Sequence, residues 1–566
     1  MVLSHDFQDV KLGANVATLV LATVSTATYY VCWRWSESAR VRRMTKSGRA
    51  GSSSLPSPVP VLPRWLPFVG GHTLQMKSDK LNQQLEGWAD EFGGDFEVTI
   101  AGNRIVFVTG AEDVRRILLL RPSKFKRGWT AGPLRWMSKE VGLGQSLLFD
   151  ESKEWGRSRR VISPSLNEHN VVKMIPTITK IAERVCAKLI DHEGEVIDFL
   201  ETFERYTHDV IALTAFAIDA DSVRATKDRP CVSFEAMRGI TGAIMALLMN
   251  PLAMLGWVMF PSLLPWVRAT KEGTQRLHHV VEGAISAMRC QLKGGGGDLA
   301  DGTSGSILRK FVSVEGSGES TKGLSNRMTF SDAEILTHAK GLFLAGSETT
   351  AKTMSWAMYF LAKNPEMLSR CREEALRVAP LSDGMVSTAE QASQLVFYSA
   401  VFKETLRLWP AGTFLFLHNT EATTLKSGIE FEAGTAFTLL LRYPCLSEDA
   451  FTRAKEFIPE RWIEAEREHT LLGNTSADGT SNRRVAHREE DHQAFGGGPR
   501  KCPGQNMAKL EAVIALSAIC ARFDLDLAPG QDDPPEETMI FTSGVKSLSL
   551  VLTRRPAQHA IQEATK

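Results

Sequence analysis

A mainly helical fold with a smaller β part, the α+β class, is predicted by three local patterns in this chain of 566 residues. Ser331 and Glu334 form a capping box, and apolar residues follow at helical spacing for about 32 residues, nearly three times the average helix. A second apolar helical pattern begins after Gly504. Residues 95–109 instead alternate β-branched and polar side chains around a Gly-Asn turn, which predicts a β-hairpin.

Composition excludes several classes of function. The formal net charge is +1 and the pI is about 7.7, so nothing favours nucleic acid as a partner. The eight cysteines include no CxxC pair, so neither a zinc site nor an iron–sulfur cluster is indicated. A reducing compartment is the simplest setting for these scattered thiols.

The N-terminal region has the pattern of a membrane anchor. After a tail at 1–11, residues 12–33 carry no formal charge over 22 positions, enough for a helix that spans a bilayer. A basic linker and proline-rich hinge follow at 34–67. Because the positive charges lie after the apolar run, the positive-inside rule predicts that the rest of the chain faces the cytosol. A cleaved signal peptide is the competing interpretation.

Three later stretches depart from the pattern of regular folded structure. The uncharged apolar run 244–267 is interrupted by three prolines, and proline inside a helix costs about 3 kcal/mol or more, so a second membrane span is disfavoured. Polar or glycine-rich runs at 293–323 and 471–491 predict solvated loop insertions.

The segment from Phe495 to Gly504 carries the most specific chemistry, with the sequence FGGGPRKCPG. Its three successive glycines are expected to let backbone N–H groups approach the sulfur of Cys502, and the helix that follows places the sulfur near a positive helix N-terminus. These conditions suit a thiolate that ligates a haem iron. Arg500 is suited to pair with a haem propionate. A cysteine taken alone is more often a buried free thiol than a haem ligand.

This loop resembles the haem-binding signature of the cytochrome P450 family, in its membrane-anchored eukaryotic microsomal type. The resemblance implies haem b, with Cys502 as the axial ligand of the iron. It also implies that the matched positions bind the cofactor: Phe495, Gly498, Arg500, Cys502 and Gly504.

The same resemblance implies the overall organisation. Members of the family fold into one mostly helical unit with a small β-rich lobe, which predicts a single catalytic domain at 68–555 and a C-terminal tail at 556–566. The apolar run 244–267 would then roof the substrate channel and admit lipophilic compounds from the membrane.

The run from Ala345 to Thr350, AGSETT, lies at the centre of the long predicted helix and resembles the family's oxygen-activation segment. A threonine hydroxyl there can bond to the carbonyl four residues earlier and loosen the helix. The resemblance implies that Gly346 leaves room for dioxygen and that Ala345 contacts the cofactor. It also implies that Thr349 and Glu348 are catalytic and supply protons. Without its context, the run is an ordinary Ser/Thr-rich helical turn.

Glu404 and Arg407 lie three residues apart and share a helix face, so they can form an ion pair. Such pairs are common on protein surfaces. The surrounding sequence resembles a family helix with a buried Glu–Arg pair, and a later segment supplies Arg461 as the third member. The resemblance implies a structural role, in which these three residues support the cysteine loop.

Trp155 and Arg159 lie one helical turn apart and resemble the pair that contacts a haem propionate in this family. His418 lies one residue later than the usual position of another propionate partner, so its assignment is weak. A lone histidine is more often a surface or core residue.

These resemblances imply a monooxygenase of the endoplasmic reticulum membrane that inserts one atom of dioxygen into a lipophilic substrate. Fatty acids, sterols and terpenoids stay open, because the expected lining residues are apolar. Electrons would come from NADPH through a flavin reductase, with cytochrome b5 as an additional donor. The expected docking patch consists of Arg157, Arg160, Lys501 and Lys509. A haem-thiolate isomerase or dehydratase of peroxides and a non-enzymatic haem protein are the alternatives.

Overall fold

The computed structural model describes residues 55–57, 80–100, 103–127, 138–249, 257, 259, 263–293, 306–313, 330–464, 492–539 and 542–556. The predicted anchor at 12–33, most of the hinge at 34–67 and all of the insertion at 471–491 lie outside the described residues. Within the described ranges, no helix is both long enough and apolar enough to cross a bilayer.

Helices dominate the described part of the chain, as the sequence predicts. Their bounds are α1 Leu81–Phe92, α2 Ala111–Leu119, α3 Trp155–Ile162, α4 Glu168–Val172, α5 Ile175–Asp191, α6 Phe199–Phe216, α7 Val232–Met249, α8 Pro265–Lys293, α9 Ile307–Ser313, α10 Asp332–Lys363, α11 Pro365–Val378, α12 Ala389–Ser393, α13 Val396–Leu408 and α14 Gln505–Arg522.

The strands are short and pair into four sheets. Their bounds are β1 Phe96–Ile100, β2 Asn103–Val108, β3 Phe125–Arg127, β4 Val196–Asp198, β5 Phe414–Asn419, β6 Thr423–Thr424, β7 Glu430–Phe431, β8 Ala436–Leu440, β9 Phe523–Leu527, β10 Glu537–Met539, β11 Ser543–Val545 and β12 Ser549–Arg554.

The largest sheet has the strand order β1-β2-β8-β5-β3. The predicted hairpin is confirmed, since β1 and β2 are antiparallel with Phe96 opposite Phe107. The two rings stack at 4.8 Å between centroids and anchor the hairpin against α1. β8 joins β2 in parallel, and β5 and β3 extend the sheet by antiparallel pairing. A smaller sheet has the order β4-β12-β9.

The long helix α10 begins and ends where its sequence predicts. Ser331 and Glu334 form the capping box, in which each side chain accepts a hydrogen bond from the other residue's backbone N–H group. The helix covers 32 residues and ends before Pro365. It crosses the main hydrophobic core and packs against α6, α8, α11, α13 and α14. This position places the segment from Ala345 to Thr350 in the interior of the protein.

The prediction of a solvated loop at 293–323 is wrong for residues 306–313. These residues include helix α9, whose Ile307, Leu308 and Phe311 are fully buried. Phe311 contacts the ring of Phe330 edge-on at 5.0 Å between centroids. The three buried residues have helical spacing, but the surrounding glycine-rich and polar composition conceals that pattern in the sequence.

Glu404 and Arg407 form a fully buried ion pair on α13. Arg407 Nη2 lies 2.8 Å from Glu404 Oε1, and Arg461 Nε lies 3.1 Å from the same oxygen. Trp462 Nε1 donates to the other carboxylate oxygen at 2.9 Å. Arg407 also donates to the backbone carbonyl of Cys445, so the trio joins α13 to the irregular segment that precedes the cysteine loop.

Candidate active site

Cys502 lies between a tight loop and the first turn of α14. Its backbone N–H donates to the carbonyl of Phe495 at 2.9 Å, which closes the loop. Burial raises the pKa of the Cys502 thiol, while the backbone amides of Gly504 and Gln505 and the charge of Arg159 act in the opposite direction. Without a metal ion the thiol therefore keeps its proton, and binding of a cation would deprotonate it.

The glycines of the loop have a different role from the one that the sequence suggests. The amides facing the sulfur belong to Gly504 and Gln505 at the start of α14, which corrects the expectation that glycines 496–498 supply them. Gly498 has φ +63°, and a Cβ there would lie 2.6 Å from the carbonyl oxygen of Leu118 in α2. This glycine therefore lets the loop contact α2.

Trp155 and Arg159 on α3 lie beside the cysteine loop. Arg159 Nη2 donates to the carbonyl oxygen of Lys501 at 2.7 Å, one residue before the cysteine. The guanidinium of Arg500 lies over the ring of Trp155, 3.9 Å from its centroid, and Nη2 donates to the carbonyl of Asp150 at 2.8 Å. The structure thus brings three of the predicted cofactor-binding residues together around the loop.

A cluster of buried charges beside Arg500 escaped the sequence analysis. A carboxylate oxygen of Glu151 lies 3.1 Å from Arg500 Nη2, and the other oxygen lies 3.7 Å from Arg127 Nε and 4.0 Å from Arg121 Nη2. Burial lowers the pKa of Arg121 to about 9 and the pKa of Arg500 to about 10. Burial lowers the pKa of His418, while the charge of Glu151 acts in the opposite direction.

The arginine nitrogens of this cluster are not fully satisfied. Within the described residues, buried nitrogens of Arg121, Arg127 and Arg500 have no hydrogen-bond partner, and one carboxylate serves three cations. Buried guanidinium groups normally pair with anions. The cluster is therefore suited to bind further carboxylates. No local motif marks it, because its members come from separate segments.

The segment from Ala345 to Thr350 has the internal hydrogen bond that the sequence predicts. Thr349 Oγ1 donates to the carbonyl oxygen of Ala345 at 2.7 Å. The role expected of Gly346 needs correction, because this residue faces α6 instead of an open space. A Cβ at Gly346 would lie 3.2 Å from Ile211 Cγ1. The missing side chain lets α6 and α10 pack closely.

Glu348 is held by two residues that the sequence analysis missed. Its Oε1 lies 2.5 Å from Lys352 Nζ and accepts a hydrogen bond from Thr542 Oγ1 at 2.7 Å. Lys352 is almost fully buried, and a Cβ at Gly544 would lie 2.5 Å from its side chain. The i,i+4 spacing of Glu348 and Lys352 could have revealed the ion pair. Thr542 lies too far away in sequence to be found in that way.

The segment is also tied to the helix that follows the cysteine. The side chains of Thr350 and Glu511 of α14 are hydrogen-bonded, and burial raises the pKa of Glu511 far above its usual range. Tyr206 donates to the backbone carbonyl of Glu511 at 2.9 Å. A protonated Glu511 can therefore join α10 to α14 without burying a charge.

The expected docking patch loses one of its members. Arg157 forms ion pairs with Glu154 and Glu334, and its guanidinium lies 4.7 Å from the ring centroid of Phe330. These contacts join α3 to the start of α10. Arg157 therefore makes intramolecular ion pairs, and the two carboxylates offset its charge. This argues against Arg157 as a member of a basic docking patch.

Cys502 lies directly before α14, and α14 packs against α10, in which the Thr349 hydroxyl bonds back to the carbonyl of Ala345. A cysteine held in this way beside a mainly helical core suits a haem-thiolate protein. The family model described as Cytochrome P450 matches residues 60–554. The chain therefore belongs to the cytochrome P450 family, and the predicted family and fold class are confirmed.

Three curated relatives are an oxidase, a monooxygenase and a hydroxylase according to their names. The 11-oxo-beta-amyrin 30-oxidase of Medicago truncatula is 28% identical over 70% of this chain and 69% of its own length. The carotene epsilon-monooxygenase of Arabidopsis thaliana is 23% identical over 79% of this chain and 77% of its own. Abscisic acid 8'-hydroxylase 1 of Arabidopsis thaliana is 23% identical over 91% of this chain and 95% of its own.

Haem b, bound through Cys502, is the cofactor, since the family binds haem iron through a cysteine thiolate. The residues fit this group. Cys502 is exposed to solvent, although protein atoms close to its sulfur desolvate the thiol, so a group can reach the sulfur. The unsatisfied arginine nitrogens suit the two propionates. The haem iron is thus the cation whose binding would deprotonate the Cys502 thiol.

Proposed function

We propose that this protein is a monooxygenase that inserts one oxygen atom of dioxygen into a lipophilic substrate: a fatty acid, sterol or terpenoid. Membership of the family makes the chain a haem-containing oxidoreductase that uses dioxygen, a substrate and a redox partner. The observation that carries the proposal is the intact acid–alcohol pair. The Thr349 hydroxyl is hydrogen-bonded to the Ala345 carbonyl, and Glu348 directly precedes Thr349 in the sequence.

Haem supplies the activation of dioxygen in this family. Arg500, Arg159 and Trp155 would hold its propionates, and the loop residues Phe495, Gly498 and Gly504 would shape the surroundings of Cys502. Ala345 would contact the cofactor from α10.

Thr349 and Glu348 deliver protons from the α10 side. The Thr349 hydroxyl donates at Oγ1 and is positioned by the carbonyl of Ala345. The Glu348 carboxylate is held by Lys352 and Thr542, so it must leave at least one of these partners to pass a proton on. Burial and the charge of Glu348 raise the pKa of the partly exposed Glu204 to about 7, which makes Glu204 a suitable proton source at neutral pH.

The redox partner and location are also proposals. Two electrons would come from NADPH through a flavin reductase, with cytochrome b5 as an additional donor. Residues 12–33 would anchor the protein in the endoplasmic reticulum membrane with the catalytic domain in the cytosol. Full-length protein should sediment with microsomal membranes after a carbonate wash, whereas a full-length protein released by that wash would contradict the anchor.

The variant Thr349→Ala tests the reaction. Loss of one hydroxyl should leave haem and substrate binding intact, yet divert reducing equivalents to hydrogen peroxide or water. Product formed per NADPH consumed is the quantity to measure, and we expect at least a ten-fold fall, about 1.4 kcal/mol of lost differential stabilisation.

The outcome separates the alternatives. An isomerase of peroxides would turn over without consuming NADPH in either form, and a non-enzymatic haem protein would form no product. If Thr349→Ala forms as much product per NADPH consumed as the wild-type protein, Thr349 does not deliver protons. As a check on the cofactor, Cys502→Ala should lose the long-wavelength band of the reduced, carbon monoxide-bound protein.

A further inference from the structure

Lys340 is a buried cation without an anionic partner. It lies on α10, five residues before Ala345, and is only 4% exposed. Its Nζ makes one long hydrogen bond, 3.5 Å to the carbonyl oxygen of Val141, and within the described ranges no carboxylate pairs with it. Burial alone lowers the pKa of Lys340 to about 8.

The protein makes room for this ammonium group. The end of the Lys340 side chain packs onto Gly142, where a Cβ would collide with Nζ and where φ is +68°. From α8, His278 faces the same place. Its Nε2 is buried without a hydrogen-bond partner in the described part of the chain, and its pKa is lowered by burial and by the charge of Lys340. Two polar groups therefore meet between α8, α10 and the loop before α3.

Neighbouring sequence offers no carboxylate that could neutralise Lys340. The stretches 128–137 and 250–262, which adjoin this loop and α7 in sequence, contain no Asp or Glu. The nearby acidic residue of the loop, Glu140, accepts a hydrogen bond from Trp257 Nε1 at 3.3 Å instead. Burying an ammonium group without an anion is costly, and a bound anion would offset that cost.

We propose that Lys340 binds the carboxylate of the substrate, and that the substrate class is therefore lipophilic carboxylic acids. This inference rests on the proposed monooxygenase function, because the ligand must also reach the oxygen-activation segment. Because an α-helix rises 1.5 Å per residue, Lys340 lies about 8 Å from Ala345 and about 14 Å from Thr349 along the helix axis.

Matched pairs of ligands test this proposal on the full-length, haem-loaded protein. The probes are tetradecanoic acid and a diterpenoid carboxylic acid, each compared with its methyl ester, and the readout is the dissociation constant from the shift of the haem absorption band. Wild-type protein should bind each acid at least about ten-fold tighter than its ester, the value expected for a charge-assisted hydrogen bond. In Lys340→Met the acids and esters should bind equally, with ester affinity unchanged.

A matched control is available on the same helix. Lys363 is exposed and pairs with Asp533, so Lys363→Met should keep the preference for acids. The preference in wild-type protein should also decline above about pH 8, where free Lys340 loses its proton. His278 is the titratable group that faces it from α8, and its lowered pKa keeps it neutral in that range.

Two results would overturn the proposals, and they are distinguishable. Equal affinity of wild-type protein for acids and esters would refute the role of Lys340 while leaving the proposed reaction on lipophilic substrates intact. A haem band that no acid or ester shifts would instead contradict the lipophilic substrate class itself. If Lys340→Met weakens acids and esters alike and lowers the thermal unfolding midpoint, Lys340 is a structural residue.

Discussion

Gly498 controls how the cysteine loop meets the rest of the protein. Its left-handed φ and its contact with the backbone of α2 both exclude a side chain. Gly496 shares the left-handed conformation, with φ +67°, but a Cβ there would meet nothing within 4 Å. The two glycines therefore separate the effect of backbone strain from the effect of a blocked contact.

We expect Gly498→Ala to lose haem, because the loop must move away from α2 and take Cys502 with it. Gly496→Ala should cost only about 1–2 kcal/mol of conformational strain and retain haem. The ratio of haem absorbance to protein absorbance after purification measures the difference. Equal haem content in the two variants would show that the contact with α2 does not position the cysteine.

Helix α13 is joined to the segment before the cysteine loop by charges that are fully buried. The Glu404 carboxylate accepts hydrogen bonds from Arg407, Arg461 and Trp462. Glu404 is fully buried, so water does not reach these groups. Removing one partner from a buried ion pair leaves the others without compensation, which is more costly than removing the whole pair.

Glu404→Ala should therefore destabilise the protein by about 3–5 kcal/mol and reduce haem content, because two buried guanidinium groups lose their anion. Glu456→Ala provides the control. It removes an ion pair with Arg453 on the same segment, but that pair is fully exposed, so we expect no change in the unfolding midpoint. Thermal unfolding of the two variants measures the contrast, and similar midpoints would contradict a structural role for the trio.

At the scale of the whole molecule, two buried histidines make stability depend on pH. His208 is completely buried and its Nε2 lies 2.8 Å from Ser233 Oγ, while His338 lies between the rings of Phe311 and Phe330. Burial lowers the pKa of His208 to about 3 and the pKa of His338 to about 4. The unfolded chain binds protons at these positions near pH 6.5, before the folded protein does.

Stability should therefore fall as the pH falls from about 6.5 towards 4, by about 2 kcal/mol for each histidine between pH 7 and pH 5. The variant His338→Asn should reduce the slope of unfolding free energy against pH by up to about 1.4 kcal/mol per pH unit. His169→Asn, at an exposed position, should leave the slope unchanged. Denaturant unfolding at several pH values gives these slopes, and an unchanged slope in His338→Asn would refute the assignment.

The sequence by itself determined the family, the fold class, the cofactor, the bounds of α10 and of the β1–β2 hairpin, and the start of α14. Cys502 and its neighbours, the capping box of Ser331 and the β1–β2 hairpin could all be predicted, because their chemistry depends on residues that are close together in the chain. Such local signals do not need tertiary packing to be recognised.

Only the tertiary structure decided which side chains meet. The contact of Glu348 with Thr542, the cluster of Glu151 with Arg121, Arg127 and Arg500, and the packing of Gly346 against α6 join residues that are far apart in sequence. Whether a charge such as Lys340 is paired or isolated depends on burial and on neighbours from other helices. Both are properties of the packed core, and a local pattern does not contain them.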